Sequence, residues 1–194
     1  MRLALALLAA LAGPVAAQEF RGVTLGEPIP ESAPEPVGSE VAHPFAYTLW
    51  QFDDGLSMSA TRDAEIGEVL YLEMWRSEGQ GQQPTPIDGL TFGETTRGDL
   101  HARFGSEGIV FEGRGRFAEA GPVAVYFISY EIEGLESVVS FVTIQPLATA
   151  SEEVADQSVL DAVIVADGRY LDQIWGVNRG RLPGYAPIED PFAD

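Results

Sequence analysis

Gly22-Val23-Thr24-Leu25-Gly26 is echoed at Gly89-Leu90-Thr91-Phe92-Gly93, and each copy leads through a turn-rich connection into strand-like runs. Self-similarity at this spacing predicts a chain built from two related modules. The runs themselves restrict the secondary structure. Leu56-Ser57-Met58-Ser59-Ala60-Thr61 alternates apolar and polar residues, which is the period of a strand with one buried face. Phe45–Phe52 is aromatic and β-rich, Asp53-Asp54-Gly55 is a hairpin signal, and Val69–Trp75 follows as a third strand. The polar stretch Ser77–Pro86 has no periodicity and holds the module boundary.

The second copy carries strand signals at Ile109–Phe111, Val123–Ile132 and Ser137–Ile144. Thr96 with Asp99 three residues on, then Gly105, predicts a short capped helix that turns Leu100 and Phe104 inward. In the first copy Pro28, Pro30, Pro34 and Pro36 forbid a regular helix. Beyond Pro146, acidic Ser151–Val154 opens a short helix, Val159–Val165 is strand-like, and Gly168–Trp175 is a short helix packing Tyr170, Leu171, Ile174 and Trp175 on the domain. Arg179–Asp194 is an extended tail. The expected fold is therefore α+β: two related modules of a short helix plus an antiparallel β-meander, with a C-terminal helical and extended extension. The modules are residues 18–79 and 87–147, the linker 80–86 and the extension 148–194.

The N-terminus has a different character. Arg2, the apolar run Leu3–Ala12, the breaker Gly13-Pro14 and the small residues Val15-Ala16-Ala17 make a Sec-type signal peptide over residues 1–17, cleaved after Ala17. The run is shorter than the roughly 20 residues that span a bilayer. The mature chain is expected to be periplasmic or secreted, with no membrane anchor, and of bacterial origin. Its lack of cysteine excludes both disulfides and lipid attachment.

Thirty acidic residues oppose 11 basic ones, a net charge of −19, and every basic residue is arginine. Such a surface repels nucleic acid and anionic lipid head groups. No hydrolase elbow, phosphate loop, dinucleotide fingerprint or calcium loop occurs. His43 and His101 stand apart from each other, and Arg97-Gly98-Asp99 opens the predicted helix rather than a loop. No catalytic residue, metal or cofactor is assigned.

One binding face is assigned. In Val69–Trp75, Leu70, Leu72 and Met74 point one way and Tyr71, Glu73 and Trp75 the other; Ser57 and Ser59 join the second set from the preceding strand. If the aliphatic set is core, Tyr71, Glu73, Trp75, Ser57 and Ser59 form a protein-interaction face. The alternative is that the C-terminal segment, through Tyr170 and Trp175, covers it.

Thr96, Leu100 and Gly105 keep a Thr-x3-apolar-x4-Gly spacing before a meander, and in this the chain resembles the small modules of outer-membrane assembly lipoproteins of the SmpA/OmlA type. Two such modules in tandem build the secreted beta-lactamase inhibitor proteins. Gly93 lies one residue upstream of the family's position, Glu107 stands where proline is expected, and the resemblance covers about residues 20–147. It implies helix-plus-sheet modules and a protein-binding role. The expected function is an exported non-enzymatic protein-binding module of the bacterial envelope, contacting another protein through the aromatic face. A hydrolase using an acidic pair and a structural envelope protein without a dedicated ligand are the alternatives.

Overall fold

A computed structural model describes residues 17–77, 79–114 and 117–193. Most of the signal peptide, residues 1–16, lies outside the described residues. The strands of the main sheet are β1 (Gly38–Ala42), β2 (Phe45–Gln51), β3 (Leu56–Asp63), β4 (Val69–Arg76), β5 (Ile109–Val110), β6 (Ala118–Ala120), β7 (Val123–Glu131), β8 (Ser137–Pro146), β9 (Val159–Asp167) and β10 (Gly180–Arg181). The helices are α1 (Arg97–Phe104) and α2 (Gly168–Trp175), with two short 3-10 segments between β8 and β9.

All ten strands belong to one antiparallel sheet of order β10-β5-β7-β8-β9-β4-β3-β2-β1, with β6 pairing on β7. This overturns the α+β expectation. The chain is mostly β, 45% strand against 14% helix, and is not divided into helix-plus-meander modules. The physical reason is β9. Drawn from the stretch beyond Pro146, it pairs with β8 on one side and β4 on the other, and so merges two meanders into one continuous sheet. Neither meander closes a core of its own.

The β4–β9 register sets Tyr71 opposite Ala166, Glu73 opposite Ile164 and Trp75 opposite Ala162. A local two-fold axis therefore passes between Glu73 and Ile164, exchanging Tyr71 with Ala162 and Trp75 with Ala166. The two glycine-bounded segments obey the same axis. The Gly26 N–H donates to the Val69 carbonyl on β4, and the Gly93 N–H to the Leu160 carbonyl on β9, each at 2.8 Å. Both glycines hold φ near +80°, at +81° and +75°, where a side chain is strained. Val23 from the first segment, with Phe20 just before it, and Leu90 and Phe92 from the second insert into one core on one face of the sheet. Trp50, Met58, Leu72, Phe141, Leu160 and Val163 complete it from the strands, and Leu100 of α1 closes it.

The α1 helix forms where its caps predict. The Thr96 side chain accepts from the Asp99 N–H, the Asp99 carboxylate accepts from the Thr96 N–H, and Gly105 ends the helix in the left-handed conformation. On β4 the predicted facing of Leu70 fails. A β-bulge between Thr61 and Arg62 pairs Arg62 with Val69, so Val69 enters the first core while Leu70 joins the opposite face. The predicted tail is pinned: β10 pairs with β5, and Ile188, 5% exposed, bridges Ile132 in the first core.

Candidate functional site

The second face of the sheet is where α2 lies. The Asp167 side chain caps α2 by accepting from the Tyr170 N–H at 2.9 Å, and Leu171 is fully buried against Ile164 and Ala166 in a second apolar cluster. From this helix Tyr170 meets Phe45 edge-on at 5.1 Å and Tyr71 at 6.2 Å between ring centroids. Trp175 meets Tyr71 at 6.4 Å, Phe111 at 5.3 Å and Phe127 at 6.2 Å. The Arg114 guanidinium lies 5.6 Å from the ring centres of both Phe127 and Trp175, within cation–π range. Ile174, predicted to pack inward, is 41% exposed.

Each predicted face residue can now be placed. Tyr71, Glu73 and Trp75 do share the second face, and all three are half-buried. Tyr71 is flanked by Tyr170 and Trp175 of α2. Its hydroxyl donates to Glu73 Oε2 at 2.9 Å. Burial drives the Tyr71 phenol well above its usual range, and the adjacent Glu73 charge adds to that. Burial also pushes the Glu73 carboxyl up, while the Tyr71 hydrogen bond and the charge of Arg114 pull it back. Ser59 lies opposite Glu73, half-buried. Ser57 lies opposite Trp75 and is buried, its hydroxyl paired with that of Ser77 at 3.2 Å. Ser57 is thus part of the packing, and Ser59 is the serine at the open side.

That open side contains residues the sequence reading did not single out. Away from α2, across β1, β2 and β3, a shallow depression of about 390 Å³ is lined by Glu40, Tyr47, Leu49, Ser59 and Thr61. Tyr47 is 41% exposed. The register runs Glu40, Tyr47, Thr61, Tyr71 in one row and Leu49, Ser59, Glu73 in the next, so the depression continues onto the predicted face. Tyr47 and Leu49 alternate within the Phe45–Gln51 run, and that period was the signal that could have found them.

Chemically the face offers an acceptor carboxylate, small hydroxyls and aromatic edges. Glu73 has a phenol for its hydrogen-bond partner and an arginine for its charged neighbour, the opposite of a carboxylate pair sharing a proton. His101 Nδ1 does lie 3.6 Å from an Asp156 oxygen that also pairs with Arg97 at 3.3 Å, but Asp156 is an exposed group beside α1. Among the described residues no three His, Cys, Asp or Glu side chains cluster as metal ligands. No helix among them is long and apolar enough to cross a membrane. Comparison with known proteins leaves the face to be judged on its geometry: no family model matches the chain, and neither a curated protein nor a solved structure matches it.

Proposed function

We propose that this chain is an exported, non-enzymatic protein-binding module of the bacterial envelope, and that it meets its partner through the second face of the sheet from Tyr47 across Ser59 to Glu73 and Trp75. One observation carries this: the two sides of the local axis differ. On the β9 side the positions related to Tyr71, Glu73 and Trp75 are Ala162, Ile164 and Ala166, which are buried with α2 over them. On the β4 side aromatic and polar groups stand instead, only partly covered, and run into a depression that ends at an exposed tyrosine. Aromatic side chains interleaved with small polar groups have the composition of an interface centre. The net charge of −19, with Glu40 and Glu73 on this face, favours a basic partner surface.

The test is a photo-crosslinking amino acid placed at position 47 in the protein expressed in its own cell envelope, with position 177, an exposed residue just beyond the end of α2, as control. The reading holds if position 47 alone yields one defined adduct whose purified partner binds Trp75→Ala at least tenfold more weakly than wild type. Adducts of the same partner from both positions, or equal affinity for the variant, refute it.

A further inference from the structure

The face just described leaves out the edge of the sheet beside it. We propose that the free edge of β1 accepts an extended, basic segment of another protein as an added antiparallel or parallel strand. Among the described residues β1 is the terminal strand of the sheet and pairs only with β2. Ser39, Glu40, Val41 and Ala42 are all exposed, and the strand contains no proline or cation to blunt its row of backbone groups. Val37, just before it, and Val41 are 58% and 57% exposed, unusual for apolar side chains in a small domain.

A groove waits on one side of this edge. Val41 is opposite Ala46 and Ser39 opposite Thr48, so Val41 and Ser39 share the face of Ala46, Thr48 and Trp50. There the proline-rich segment folds back to leave a space of about 620 Å³ lined by Ile29, Pro30, Pro34, Thr48 and Trp50. The Trp50 Nε1–H donates to the Pro34 carbonyl at 2.8 Å, and the Ala33 N–H to the Pro30 carbonyl at 3.0 Å, so the groove is held open before any ligand arrives. A strand added to β1 gains main-chain hydrogen bonds along the edge and lays alternate side chains over Val41 and this groove. Its other side chains lie beside Glu40 and Tyr47.

Charge selects the occupant. Glu31 and Glu35 line the groove with Arg62 as the one cation among its described lining residues, and Glu40 marks the middle of β1. A second copy pairing antiparallel about the strand's centre sets Glu40 against Glu40, on two chains of net charge −19, and like charges directly opposed destabilise a sheet. A segment alternating apolar and basic residues pairs with every one of these features. This surface stands whether or not the Trp75 face binds a protein.

The experiment uses the mature chain and three synthetic nine-residue peptides: one alternating valine and lysine, one with glutamate for each lysine, and one with proline for the central valine. Calorimetry measures affinity, and hydrogen exchange followed residue by residue locates the contact. The first peptide is expected to bind and to slow exchange within Gly38–Ala42; the other two bind at least tenfold more weakly. Glu40→Lys, an exposed change that leaves the circular dichroism unaltered, weakens the first peptide at least tenfold, and Trp75→Ala leaves it unchanged. Equal binding of all three peptides, or protection centred on Trp75, overturns the proposal. So does a wild-type dimer in sedimentation that Glu40→Lys alters, which assigns the edge to a second copy.

Discussion

Tyr71 and Glu73, next neighbours on one face of β4, share a single hydrogen bond of 2.9 Å at the centre of the sheet, where the local axis of the β4–β9 pair passes. Tyr71 is the carboxylate's described hydrogen-bond partner, and the group is half-buried. Burial therefore dominates, and the carboxyl is raised above the ordinary glutamate value of 4.5.

That displacement has a defined pH signature. Between 4.5 and the raised value the folded chain binds more protons than the unfolded one, so this group's contribution to stability declines as pH rises through that window and returns as pH falls. Asp99 does the reverse. Held below its usual 3.8 by hydrogen bonds from Thr96, it contributes above that value and loses its contribution as pH falls through the lowered one. Glu73→Gln removes the first component, leaves the second and keeps an acceptor for Tyr71. Its stability at pH 7 is expected to equal or exceed wild type, within about 1 kcal/mol. Urea midpoints at successive pH values from 3.5 to 7, for both proteins, check this; an unaltered pH slope in the variant contradicts it.

The position of β9 predicts the consequence of truncation. A chain ending at Leu147 keeps both early meanders but exposes the paired edges of β4 and β8, together with Phe141, Leu72 and Met74, whose core loses Leu160, Val163 and Val165. It also loses α2. The expected product has no cooperative thermal transition, because neither half retains a closed core. A sharp melt with dispersed amide resonances would show that the halves fold alone.

Much of the local structure was legible in the chain because its causes are local. The alternation of Leu56 to Thr61 picks out Leu56, Met58 and Ala60 as the side chains that enter the first core, although Ser57 and Thr61 on the other side are buried as well, and Thr96, Asp99 and Gly105 fix both ends of α1. The order of strands was not legible. Nothing within Val159–Asp167 says that it pairs with Val69–Arg76 rather than ending the sheet, since its apolar residues suit any doubly covered position. The same limit applies at the site. Tyr71 and Trp75 declare a shared face by their spacing, but the rings that flank Tyr71 are Tyr170 and Trp175, from a part of the chain distant in sequence. The bulge at Thr61 and Arg62, which moves Val69 into the core in place of Leu70, is likewise a property of two strands together.

Thr96→Ala tests the helix cap. It removes the acceptor for the Asp99 N–H at 3.1 Å and leaves the Asp99 carboxylate with the Thr96 backbone alone. The cost is about 1 kcal/mol. Because Leu100 of α1 packs in the first core while Trp75 lies on the opposite face of the sheet, binding at the Trp75 face is expected to persist. Chemical denaturation reads the stability, and fast amide exchange confined to residues 97–104 reads the local fraying; fraying spread across β9 would contradict a local role.

Gly26 and Gly93 offer a matched pair in which space, not conformation, differs. Both hold a positive φ, and both donate to a strand carbonyl at 2.8 Å, so alanine strains each backbone by about 1 kcal/mol. Around Gly26 an added Cβ meets nothing within 4 Å. At Gly93 it would sit 2.4 Å from Arg76 Nη1. Arg76 is not free to swing away without cost, for its other guanidinium nitrogen pairs with Asp161 at 3.3 Å and Nη1 itself donates to the Gln80 carbonyl at 3.2 Å. Gly93→Ala is therefore expected to destabilise by about 2 kcal/mol more than Gly26→Ala, the net worth of a lost hydrogen bond to a charged group. In an Arg76→Ala background the clash disappears and the two alanine variants should cost the same. Urea denaturation of the six proteins, the parent and each glycine variant with and without Arg76, closes the cycle, and an excess Gly93→Ala penalty that survives removal of Arg76 would place the strain in the backbone instead.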